Sequence, residues 1–115
     1  MLVRNPNLAL PNAAATVDNR KFTHYLFGGT NEKGLAKGRA FTSRLGYDIN
    51  NYDKLIDEIL KKTERYPAKF KGNNGHGDKY EQNMILYGLK NKPADVLIGW
   101  LNDSSGVHLT TLHLD

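Results

Sequence analysis

The hydrophobic period of this chain changes once, at Pro67, and that change limits the fold more than any other feature. Upstream of it apolar residues recur at helical spacing. Tyr52, Leu55, Ile56, Ile59, Leu60 and Thr63 trace one face at 3.6 residues per turn. Asn50 or Asn51 can cap that helix, and Asp57/Lys61 and Glu58/Lys62 are well-oriented i,i+4 pairs. Two shorter helical segments precede it. Asp18 is placed as an N-cap for a segment with Phe22, Tyr25 and Leu26 at i, i+3, i+4, stopped at Gly28-Gly29. A second covers residues 33–45, with Phe41 and Leu45 as its apolar face and Gly46 as its end. Gly34 and Gly38 each weaken that helix by about 1 kcal/mol against Ala, so it needs tertiary support.

Downstream of Pro67 the period is two. Ala68–Lys71 starts a short strand, and Gly72–Asp78 reads as a loop. Tyr80, Gln82, Met84 and Leu86 alternate with Glu81, Asn83, Ile85 and Tyr87, which suits a half-buried strand. Val96–Leu101 is a nearly continuous apolar run and reads as a central strand, with Trp100 in the core. Asn102–Gly106 then turns the chain into a last strand from Val107 to Leu114. The expected fold is α+β: an N-terminal cluster of three helices packed on a four-stranded antiparallel β-meander. Residues 1–16, with two prolines, read as an extended lead-in, and 17–115 as a single domain.

Composition narrows the function classes. The 115 residues carry a net charge of +4, no cysteine and 39% apolar residues. Disulfides and thiolate metal sites are therefore out. No stretch approaches the ~20 apolar residues that span a bilayer. A pI near 9.3 suits an acidic partner and equally suits an ordinary solvated surface.

Two constellations could carry chemistry. Lys33, Lys37 and Arg44 lie near one line of the second helix, with Arg39 off it, and only Glu32 stands near enough to offset any of them. Like charges at i,i+4 cost a few tenths of a kcal/mol, which an anionic ligand would relieve. The last strand carries His108, Thr110, Thr111 and His113. Strict alternation puts Thr111 with His113 on one face and His108 with Thr110 on the other, and leaves open which histidine meets solvent. An imidazole beside a threonine and a cation can take the proton of a ribose 2′-OH or protonate a leaving 5′-oxygen. His24 is a further candidate, and His76 sits in a glycine-rich loop whose N–H groups could face phosphate. No metal-ligand pattern, Walker loop or nucleophile elbow occurs, so neither a metal nor another cofactor is expected.

Three stretches carry a resemblance: Phe22-Thr23-His24-Tyr25-Leu26; Gly34 to Phe41 with Leu45-Gly46-Tyr47; and Tyr80 through Trp100 to Leu109-Thr110-Thr111. Across residues 17–112 they resemble a widespread bacterial domain family, largely of unknown function, whose members often end large secreted or phage-associated proteins. Lys37, Phe41, Gly46, Trp100 and Thr111 match its pattern. Leu97 and Ile98 depart from it, and His113 lies outside it. The chain also resembles the C-terminal toxin regions of CdiA-type contact-dependent growth-inhibition proteins, with the element order of the barnase/EndoU/colicin/RelE nuclease fold.

That resemblance implies metal-independent endoribonuclease activity on tRNA, a cognate immunity protein and, for some such toxins, elongation factor Tu as a partner. It further implies a place at the end of a secreted or surface protein, acting in the cytoplasm of a target bacterium. On this reading His113 or His108, with His24 in reserve, is the general acid/base and Thr111 positions the phosphate. Lys37 and Arg39, with Lys33 and Arg44, bind the RNA. The competing expectation is a non-enzymatic basic module that docks an acidic partner.

Overall fold

The computed structural model describes Leu10 and residues 15–115. The bulk of the expected lead-in, residues 1–9 and 11–14, lies outside the described residues. The elements run β1 (Ala15–Thr16), a five-residue π-helix (Phe22–Leu26), α1 (Glu32–Leu45), α2 (Tyr52–Lys62), then β2 (Ala68–Asn73), β3 (Asp78–Leu86), β4 (Ala94–Asp103) and β5 (Gly106–Leu114). They build one five-stranded sheet in the order β1-β5-β4-β3-β2.

This corrects the expected architecture of an N-terminal three-helix cluster on a four-stranded antiparallel meander. A strand precedes the helices, and it makes the sheet mixed: β1 pairs parallel to β5, Ala15 beside Val107 and Thr16 beside His108, while the other neighbours are antiparallel. Only two of the helical segments are α-helices. At the first, the Asp18 carboxylate accepts from the Arg20 amide and is gripped by the Arg20 guanidinium at 2.7 Å, so it caps nothing further along. The turn that follows closes with the Phe27 N–H on the Phe22 carbonyl, one residue longer than an α-turn.

The glycines of α1 have a tertiary reason. A Cβ at Gly34 would come within 2.7 Å of the Tyr25 ring, and one at Gly38 would collide with the Leu26 carbonyl. Spaced four apart, they form one groove in which the π-helix lies, so close packing offsets their propensity cost. Asn31 caps α1 through its side chain to the Gly34 amide, and left-handed Gly46 ends it. In α2, Leu55 and Ile59 are buried as the spacing predicts. Asn51 stands at the cap position but spends its side chain on the Asp48 amide and the Gly46 carbonyl instead.

Helices and sheet share one core, in which Phe22, Leu26, Phe41, Leu45, Leu55 and Ile59 meet Met84, Leu86, Val96, Ile98, Trp100, Leu109 and Leu112. Gln82 is fully buried among them and fully satisfied. Its amide donates to the Thr63 and Tyr66 carbonyls, and its oxygen accepts from the Trp100 indole. A second tie holds the layers at the far end of β3. Glu58 accepts from Tyr47, Lys62 and the amides of Tyr87 and Gly88. Burial raises the Glu58 carboxyl, but those hydrogen bonds outweigh it and hold it below its ordinary value. With the helices stacked on one face, the other face of the sheet stays open.

Candidate active site on the open sheet face

One irregularity decides what the open face carries. Gly99 pairs with Thr111, but the next residue, Trp100, pairs with Leu109, so Thr110 is an extra residue in β5. A bulge of this kind shifts the alternation of the strand by one. Leu109 and Leu112 therefore both reach the core, and His108 and His113 both stand on the open face, opposite Leu101 and Leu97. Strict alternation would separate the two histidines; the bulge reunites them.

Three rows of neighbouring residues cross the face from β3 through β4 to β5: Lys79, Leu101 and His108; Glu81, Gly99 and Thr111; Asn83, Leu97 and His113. Laterally paired residues on one face lie roughly 5 Å apart. The two histidine rows are four β4 residues apart, or about 13 Å at roughly 3.3 Å per residue. The middle of the grid has no side chain of its own. A Cβ at Gly99 would strike the Thr111 hydroxyl and come within 3.2 Å of that of Thr110, so both hydroxyls lean over this residue. The result is a depression of about 290 Å³ lined by Lys79, Glu81, Leu101, Thr110 and Thr111. A second, of about 540 Å³, continues toward β2 over Lys69, Lys71, Asn83 and Leu97, and Glu81 borders both.

The two histidines differ in how they are held. His108 uses both ring nitrogens: Nδ1 is 2.9 Å from the Thr16 hydroxyl, and Nε2 is 2.8 Å from the Ser105 hydroxyl and 3.2 Å from Asp103. Asp103 is itself kept below the usual carboxylate range, first by the Ser105 hydroxyl and amide and then by His108. His108 thus clasps the edge strand and the β4–β5 turn to β5. The His113 side chain is 41% exposed, and its one ionic neighbour among the described residues, Asp115, stands at 3.7 Å, beyond hydrogen-bond reach. It is the imidazole with room to exchange a proton with a ligand.

The remaining candidates lie elsewhere. Lys33, Arg39 and Arg44 are exposed on α1, and Lys37 is half-buried with its ammonium over the Tyr25 ring. His24 is exposed on the π-helix, its Nδ1 2.7 Å from the Thr23 hydroxyl. All five belong to the helix layer, not to the face that bears His108, His113 and Thr111. His76 is exposed, and the amides of its loop are taken by Asn73 and Asn74 side chains, so they are not offered to a phosphate. Sequence reasoning passes over Lys79, Glu81 and Asn83 as site residues, and it sets Thr110 beside His108 without giving it a role. The alternation of β3 already groups the first three on one side, but nothing local says that this side faces β5 and its histidines.

The chain belongs to the family described as a domain of unknown function (DUF6883), whose pattern matches residues 9–113. No curated protein matches the chain. Among solved structures it is similar to a chain of the contact-dependent growth inhibition toxin–immunity protein complex from Klebsiella pneumoniae 342. The two are 22% identical with a TM-score of 0.67, over 86% of this chain and 98% of that one. At that identity the likeness is one of fold, and the fold is that of a component of a growth-inhibition toxin–immunity system. Among the described residues no helix is long and apolar enough to cross a membrane.

Proposed function

We propose that this domain is an endoribonuclease toxin that cleaves tRNA without a metal ion in competing bacteria. The observation that carries the reading is the β5 bulge, which sets His113, His108, Thr110 and Thr111 on one open face beside Lys79 and Glu81. The scissile phosphate sits over Gly99, where a side chain would otherwise be. Glu81 borders both depressions and takes the proton of the ribose 2′-OH as its oxygen attacks phosphorus. His113 protonates the leaving 5′-oxygen. The Thr110 and Thr111 hydroxyls and the Lys79 ammonium meet the charge that builds on the non-bridging oxygens. One P–O bond forms as the other breaks, leaving a 2′,3′-cyclic phosphate and a 5′-OH. His108, with both nitrogens engaged, orients the β5 end of the site.

The fold likeness to a toxin–immunity complex supports a producing cell that blocks this face with a cognate immunity protein. On the same reading the domain ends a secreted or surface protein and acts in the cytoplasm of the target cell, with elongation factor Tu as a helper. The test is incubation of the purified domain with tRNA in EDTA, with and without elongation factor Tu, followed by end-group analysis. Cyclic-phosphate ends that vanish in His113→Ala are expected. Intact tRNA under every condition would sink the reading and leave a non-enzymatic basic module in its place.

A further inference from the structure

The helix layer holds an arrangement that the sheet-face chemistry does not use. Lys21, at the start of the π-helix, and Lys37, on α1, both bring their ammonium groups to the ring of Tyr25, at 5.1 and 5.7 Å from its centroid. The ring lies against α1 at Gly34, where a Cβ would come within 2.7 Å of it. Two like charges are thus drawn to one aromatic ring. Among the described residues no ion pair holds either lysine, and the nearby Asp18 is already taken by Arg20. Lys62 makes a similar approach to Tyr87, at 4.9 Å, and shows what a self-contained version looks like: its ammonium is also bound by Glu58 and the Ile85 carbonyl. The pair at Tyr25 lacks any such closure. An anion drawn to these ammonium groups would supply it.

We propose that Lys21, Lys37 and Tyr25 form an anchoring site for a backbone phosphate of a polynucleotide, separate from the face where the chain would be cut. The proposal rests on the nuclease reading only for the identity of the ligand. Interleaved cations and an aromatic ring, with no carboxylate ion-paired to them among the described residues, suit a phosphodiester backbone. A protein partner would leave a different mark, because interface centres are depleted of lysine and carry apolar anchors. Among the described residues the exposed large apolar side chains, Ile49, Phe70, Tyr87 and Leu89, are all outside this cluster. The placement also suits an RNA that reaches both regions: α1 packs against β5, the strand that carries the histidines on its other side.

The test uses a 2′-O-methyl oligoribonucleotide, which binds but cannot be cut by 2′-oxygen attack, titrated by fluorescence anisotropy across a range of salt. Removing one lysine–phosphate pairing flattens the plot of log K against log salt by about 0.7 for a single strand. The double variant Lys21→Gln/Lys37→Gln frees the one phosphate the two lysines share and is expected to bind more weakly, with a slope shallower by about 0.7. Lys21→Arg/Lys37→Arg restores both, and Lys54→Gln/Lys61→Gln on α2, with the same change in net charge, leaves the slope in place. Circular dichroism of each variant confirms that the domain stays folded. An unchanged slope in the first variant, or an equal drop in the α2 control, overturns the anchor. So does full oligonucleotide binding joined to a failure to bind a purified immunity protein, which would assign the surface to that partner instead. If wild-type protein never cuts tRNA but the slope still shifts, the nuclease reading falls and the anchor stands.

Discussion

The two sides of the sheet solve opposite problems. On the open face charged and polar groups largely answer one another: Lys71 stands 3.4 Å from Glu81, and His108 is locked to Asp103, Ser105 and Thr16. Left there for a ligand are the His113 imidazole, the Lys79 ammonium, the Thr110 and Thr111 hydroxyls and a hollow over Gly99. On the helix layer, among the described residues, no ion pair holds Lys33, Lys37, Arg39 or Arg44, and Glu32 is the acidic residue of the first turn of α1. Exposed, scattered cations make poor acid/base groups but a good footprint for a polyanion. The difference separates the place where a proton could move from the places where a ligand could be held.

The sharpest way to break that division is His113→Ala. It should cut tRNA cleavage by roughly 10²–10⁴-fold, as loss of a general acid does, while RNA affinity stays within about twofold of wild type. Parallel gel-based rates and anisotropy titrations read the two effects separately. Equal losses in both would show that the sheet face binds as well as cuts, and the contrast would dissolve.

Both regions depend on the tie between layers, so the next largest effect is on stability. Glu58→Ala takes the acceptor from the Tyr47 hydroxyl and the Tyr87 and Gly88 amides and one of two hydrogen-bond partners from Lys62, at a mostly covered site where the carboxylate is only 16% exposed. A loss of about 2–3 kcal/mol in urea denaturation is expected, at the scale of hydrogen bonds to a charged group. Because the folded-state pKa of Glu58 is depressed, its contribution is fully present above the unfolded value and fades as pH falls through the folded one. The gap between wild type and Glu58→Gln should therefore be widest near neutrality and close in acid. A gap that widens in acid would mean the carboxylate is not stabilised by these partners.

How much of this is legible in the sequence follows from where each signal resides. The α2 stripe is local, and Leu55 and Ile59 point inward as their spacing requires. The parallel strand β1 is invisible there, because two residues paired across more than ninety positions leave no period. Gly34 and Gly38 register only as propensity penalties, since the segment that fills their groove is a tertiary fact. The residue types of the site are readable in β5, yet their shared face is not. Thr110 and Thr111 are identical in kind, and nothing in them announces which one is the extra residue of a bulge. Lys37 and Tyr25 each carry a local signal alone; the third member, Lys21, counts merely as charge until the fold brings it to the same ring.

A smaller effect probes the clasp. Thr16→Val removes the hydroxyl that meets His108 Nδ1 and the Val107 carbonyl. A cost of about 0.5–1.5 kcal/mol is expected, one ordinary net hydrogen bond. Cleavage should fall far less than in His113→Ala, since His108 orients the site without exchanging a proton with substrate. If Thr16→Val matched His113→Ala in rate, His108 would have to take over as the reacting imidazole.

The smallest effect has the most telling sign. Lys33 and Lys37 are like charges one helical turn apart, and such a pair costs a few tenths of a kcal/mol. Lys33→Glu replaces that repulsion with a Glu–Lys pair in the favourable order, close to the positive end of the α1 dipole. The domain should gain about 0.3–1 kcal/mol in urea denaturation, while its affinity for RNA at low salt declines. Stability and binding moving in opposite directions is the signature of a charge kept for a ligand and not for the fold. A variant that gained stability and kept its full salt-dependent affinity would return Lys33 to the ordinary solvated surface, leaving Lys21 and Lys37 to account for RNA binding by the helix layer.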